Sequence, residues 1–70
     1  MPIIRVEMFK GRSREQKRVL ARELTAAFVR TAGGTASDMY VVITDVDKEN
    51  WGLGGELACD LYPDPPAGTS

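Results

Sequence analysis

Pro2 is the residue of this chain with the most distinctive chemistry. Methionine before a small second residue is normally removed after synthesis, and Pro2 then becomes a secondary amine instead of an amide. An α-amino group has a reference pKa of about 7.7–8.0, and burial beside a guanidinium lowers it toward neutrality. A base poised there is matched to moving a proton next to a carbonyl. If Met1 stays attached, the Pro2 nitrogen is an amide and this chemistry is lost. Arg12 is the second candidate. It stands where a strand gives way to a helix N-terminus, a place that welcomes anions, and its guanidinium can hold a carboxylate through two bonds. The ordinary alternative is a solvated loop arginine. The glycine-rich corner Trp51-Gly52-Leu53-Gly54-Gly55 is third. It lacks the strand-to-helix setting of a phosphate loop, so it reads as a tight turn that sets Trp51 and Leu53 against a neighbour. Cys59 has no histidine to activate it and reads as core packing in an apolar strand.

Composition narrows the chemistry further. Among 70 residues there is no histidine and one cysteine, so an internal disulfide, a four-ligand zinc site and a serine–histidine–aspartate triad are all excluded within one chain. No metal is expected. The formal net charge of −1 gives no general reason to bind nucleic acid or an anionic membrane. No apolar run is long enough to span a bilayer and no signal segment opens the chain, so the expected location is cytoplasmic.

These candidates need elements to position them. Residues Ile3 to Phe9 alternate: Ile4, Val6 and Met8 point one way, Ile3, Arg5, Glu7 and Phe9 the other. That period of two predicts a strand. Ser13 and Gln16 form a capping box, and a helix follows to about Ala32 with Leu20, Leu24, Ala27 and Phe28 on its apolar face. Gly33-Gly34 stops it. The charges Arg14, Glu15, Lys17, Arg18, Arg22 and Glu23 read as its wet face. Tyr40 to Val46 predict a second strand, apolar enough to be buried on both faces. Strand, helix and strand make a βαβ unit with parallel strands and a right-handed crossover. Glu56 to Leu61 read as a short third strand. Residues 2–61 then form one α/β domain, and 62–70, which hold three of the four prolines, form a mobile tail. So short a chain buries little core, and two parallel strands leave edges open. Both facts point to self-assembly.

Three segments, in this order and spacing, resemble the 4-oxalocrotonate tautomerase family. They are Met1-Pro2-Ile3; Gly11-Arg12-Ser13 with Glu15-Gln16-Lys17; and Trp51-Gly52-Leu53-Gly54-Gly55-Glu56-Leu57-Ala58. The similarity runs without gaps over residues 2–58. It implies a βαβ chain with a short C-terminal hairpin, assembling as a hexamer that is a trimer of dimers. Some members are homohexamers and some are heterohexamers of two related chains. It implies that Pro2 acts as general base and then acid, moving a proton between an enol oxygen and a carbon of an unsaturated 2-oxo acid. Arg12 of a neighbouring chain then holds the far carboxylate. Trp51 walls the pocket and lowers the amine pKa, and Phe9 and Leu53 line the same pocket. No cofactor is implied.

The chain departs from the family at Tyr40, where the best-studied members carry a second arginine. A phenol donates one hydrogen bond and supplies no positive charge. The difference is about 1–2 kcal/mol, or about 5–30-fold in transition-state binding. A monoacid enol suits such a pocket better than a diacid, unless another chain supplies the missing arginine. The same superfamily also contains haloacid hydratases and oxo-acid decarboxylases, and water activation there calls for a carboxylate such as Glu7. An inactive partner chain of a mixed hexamer is the third alternative.

Overall fold

The computed structural model describes residues 1–63. Strand β1 (Ile3–Phe9) leads into helix α1 (Arg14–Ala32), and strand β2 (Tyr40–Val46) returns beside β1. The two strands pair in parallel, from Ile3 opposite Tyr40 to Phe9 opposite Val46. The α/β reading of the sequence is thus the observed architecture.

The capping box is present in full. The Gln16 amide donates to Ser13 Oγ at 3.1 Å, and the Ser13 amide donates to Gln16 Oε1 at 2.8 Å. At the far end the Gly33 amide donates to the Val29 carbonyl at 3.1 Å, with Gly33 at φ +88°, a conformation that a Cβ would strain. Leu20, Leu24, Ala27 and Phe28 are half-buried, as are Ile4, Val6, Met8, Val41 and Ile43. The helix therefore covers one face of the sheet. Lys17 does not belong to the wet face. It forms an ion pair with Asp45 at the end of β2, so this cation ties the first half of α1 to the sheet.

The other face of the sheet is bare. Ile3, Tyr40 and Val42 are 53%, 49% and 41% exposed. The expectation that β2 is buried on both faces fails for the chain alone, because one helix can cover only one side of a two-stranded sheet. Ala58 is the only fully buried hydrophobic residue among the described residues. An open apolar groove also runs along the flank of α1, past Ala21, Thr25, Ala26 and Val29.

The segment after β2 holds the expected short C-terminal hairpin and corrects the expectation of one strand running from Glu56 to Leu61. A short 3₁₀ turn at Lys48–Asn50 is followed by a hairpin of two-residue strands, β3 (Gly52–Leu53) and β4 (Glu56–Leu57). Gly54 and Gly55 form its loop with φ +63° and +89°. Positive φ at both central residues is what a two-residue hairpin of this hand requires. The Ala58 amide then donates to the Trp51 carbonyl at 2.7 Å. With the hairpin closed and no further strand to pair with, the chain coils into one helical turn, α2 (Ala58–Leu61). Cys59 consequently sits in a helical turn, half-buried, rather than in a strand. Tyr62, expected to open a mobile tail, accepts from Lys48 Nζ at 2.7 Å through its carbonyl. The rest of that expected tail, from residue 64, lies outside the described residues.

Candidate active site

The predicted site residues fall into two groups at opposite ends of β1. At its C-terminal end Phe9 meets Trp51 edge-on, with ring centroids 4.6 Å apart and an interplanar angle of 62°. Such a pair is worth about 0.5–1.5 kcal/mol beyond the area it buries. The two are far apart in sequence; the register of Phe9 with Val46 and the turn at Lys48–Asn50 carry Trp51 back to the strand. Arg12 Nη1 donates to the Phe9 carbonyl at 3.2 Å. That bond folds the guanidinium against the end of β1 while Arg12 stays exposed and able to take an anion. Lys48 Nζ lies 6.0 Å from the Phe9 ring centroid and adds positive charge to this end. Lys10 pairs with Asp47 at 3.0 Å, which holds the loop after β2 beside the loop after β1.

An open cleft of ≈ 300 Å³ lies beside Trp51, lined by Glu7, Val46, Asn50, Trp51 and Gly52. Glu7 reaches it because β1 alternates, which puts Glu7 and Phe9 on one face. Val46 and Asn50 carried no signal in the sequence. Val46 enters through its register with Phe9, and Asn50 through the turn that reverses the chain. Leu53 does not line this cleft. It is 56% exposed on the hairpin, one residue beyond Gly52.

Pro2 and Tyr40 sit together at the other end. The Tyr40 amide donates to the Pro2 carbonyl at 3.0 Å, and Pro2 is half-buried. Seven residue steps of extended chain separate Pro2 from Phe9, about 23 Å at the usual rise. One chain therefore brings Phe9, Arg12 and Trp51 together, and Pro2 with Tyr40, but does not join the two groups. No cluster of three or more potential metal-ligating side chains exists among the described residues. No helix among them is long and apolar enough to cross a membrane.

This fold, with an arginine at the strand-to-helix junction and an aromatic hairpin, is that of a known class of enzymes. A profile of the tautomerase enzyme family matches residues 2–60. The chain belongs to that family: it is a tautomerase, an isomerase. It is 41% identical over 61 residues to the 2-hydroxymuconate tautomerase of Comamonas testosteroni, covering 87% of this chain and 97% of that protein. Among solved structures, a 4-oxalocrotonate tautomerase isozyme of Methylibium petroleiphilum superposes with TM-score 0.81 at 38% identity, covering 87% of this chain and 98% of the other. A heterohexameric 4-oxalocrotonate tautomerase from Chloroflexus aurantiacus gives TM-score 0.81 at 34% identity, with 87% and 98% covered.

Proposed function

We propose that this tautomerase converts the enol form of an unsaturated 2-hydroxy acid to its 2-oxo form, with Pro2, freed of Met1, as the proton carrier. The neutral Pro2 amine takes the proton from the enol oxygen. The carbonyl forms, any conjugated double bond shifts one position, and the alkene carbon at the far end of the enol system takes the proton back from the Pro2 ammonium. Atoms and charge balance with no cofactor or metal. Arg12 and the Phe9–Trp51 wall belong to a second copy, the arginine holding a carboxylate and the aromatic pair excluding water. Leu53, exposed on the hairpin, joins the pocket across the same interface.

The observation that carries this reading is the division of the site. A proton carrier and its hydrogen-bonding neighbour stand at one end of β1, and an arginine with an aromatic wall at the other. Each half is incomplete alone. The bare sheet face and the groove along α1 support an assembly that joins them. A homohexamer fits these surfaces, as does a mixed hexamer with a related chain, in a cytoplasmic setting. The measurement that tests the reading is the rate of ketonisation of 2-hydroxymuconate, a diacid, against phenylenolpyruvate, a monoacid, on protein of verified N-terminus. With Tyr40 uncharged, we expect the monoacid to be turned over at least as well as the diacid. No turnover of either overturns the proposal.

Glu7 favours a second reading. A carboxylate beside Trp51 is positioned to activate water for addition to an unsaturated haloacid, with Pro2 then working as a charged acid. The pH profile separates the two, because tautomerisation requires the neutral amine and hydration the protonated one.

A further inference from the structure

The open cleft beside Trp51 has firm walls and an unsatisfied rim. The Trp51 amide donates to the Lys48 carbonyl at 3.3 Å, the Trp51 carbonyl accepts from the Ala58 amide at 2.7 Å, and the indole packs on Phe9. The Asn50 amide donates to the Asp47 carbonyl at 2.8 Å, so the backbone carrying that side chain is fixed as well. Yet the side chains of Glu7 and Asn50 make no ion pair or hydrogen bond among the described residues. Asp45 and Asp47, at the same end of the sheet, are each paired with a lysine. The cations of this end face elsewhere. Arg12 lines a separate pocket against Leu20, and Lys48 another beside Cys59. The cleft that touches Trp51 therefore carries one formal charge, that of Glu7, and it is negative.

We infer that Glu7 and Asn50 select the substrate, rejecting a carboxylate and accepting a hydroxyl on the part of the molecule that lies against Trp51. This selection rests on the tautomerase reading above, and it gives Glu7 a binding role in place of water activation. An ionised carboxylate only accepts hydrogen bonds, a carboxamide NH₂ donates them, and a hydroxyl does both. A hydroxyl in the cleft donates to Glu7 and accepts from the Asn50 side chain, so one group satisfies the whole rim. A second substrate carboxylate meets Glu7 as a like charge and brings it no donor. Trp51 and Val46 supply apolar contact for the carbon frame that carries the hydroxyl. The substrate class follows: an enol acid with one carboxylate for Arg12 and an uncharged, hydroxyl-bearing group at its other end. Tyr40 contributes to the same preference from the far end of β1 by lacking a positive charge. Glu7 does so independently, by adding a charge of the wrong sign for a diacid.

Trp51 is the only tryptophan of the chain, so its fluorescence reports occupancy of the cleft in the intact protein without any turnover. Three saturated acids with no 2-oxo group serve as probes: 3-phenylpropionate and its 4-hydroxy and 4-carboxy derivatives. The hydroxy acid should bind about 3–10-fold more tightly than 3-phenylpropionate, and the carboxy acid more weakly by about the same factor. Glu7→Gln should bring the carboxy acid to within about twofold of 3-phenylpropionate, because the like charge is gone. Asn50→Asp should widen the original gap, because a second negative charge joins the rim. Each comparison is a ratio within one folded variant, so a loss of stability does not imitate it, and either variant suffices if the other does not fold. Equal binding of the three acids by the parent, no binding of any, or ratios that neither substitution moves overturns the inference. The functional reading fails on other grounds. The expected ratios with no turnover of either enol sink the tautomerase mechanism, whereas turnover with equal binding of the three acids removes only the selection.

Discussion

The two ends of β1 are built in different ways, and the difference shows how a 70-residue chain makes an enzyme. The C-terminal end is constructed within the chain. Phe9 packs on Trp51, Arg12 bonds to the Phe9 carbonyl, and the turn at Lys48–Asn50 brings the tryptophan back, with the hairpin closing on its carbonyl through the Ala58 amide. The N-terminal end has almost no surroundings of its own. Pro2 and Tyr40 share one backbone hydrogen bond, and Tyr40 and Ile3 lie open to solvent. The amine proposed as proton carrier would need apolar walls and a cation to hold the substrate carboxylate, and the first end owns both. The small core and the bare sheet face favour the assembly proposed above, and that assembly would supply the missing surroundings.

Substitutions at each end should behave accordingly. The largest effect is expected from Pro2→Ala, which should lower kcat by about 10²–10⁴-fold with association unchanged, because only the positioned proton carrier is lost. A fully active variant would remove Pro2 from the mechanism. Arg12→Ala comes next, at about 10–150-fold in kcat/KM with kcat and KM both affected, the value of a hydrogen bond to a charged group. Mixing these two variants gives the sharpest test of the divided site. Sites drawing Pro2 and Arg12 from different copies should recover roughly a quarter of parent activity after random exchange of subunits. A site within one chain would recover none.

Tyr40→Phe should cost about 2–13-fold, since a neutral hydrogen bond is lost and the ring remains. Its effect should fall on turnover and leave association alone, which steady-state rates at several protein concentrations will show. The smallest change is expected from Lys17→Ala. The Lys17–Asp45 pair is partly exposed, so its loss should lower stability by about 0.2–1 kcal/mol in denaturant titration at fixed protein concentration, without altering turnover.

Local pattern determined much of this molecule. Alternation in Ile3–Phe9, the Ser13–Gln16 box and the Gly33 stop are written in neighbouring residues, because strands, caps and turns are decided over a few bonds. Pro2 and Arg12 were visible as candidates for the same reason, their chemistry following from residue type and place in the chain. Tertiary structure alone decided what depends on distance. It turned Lys17 from solvent to Asp45, coiled Ala58–Leu61 into a helical turn, left Leu53 outside the Trp51 cleft, and brought Asn50 and Val46 into it. The distance from Pro2 to the Arg12 end was already implied by the predicted strand between them, since seven steps of extended chain span about 23 Å. What folding alone decided depends on contacts between residues far apart in sequence, which no local pattern encodes.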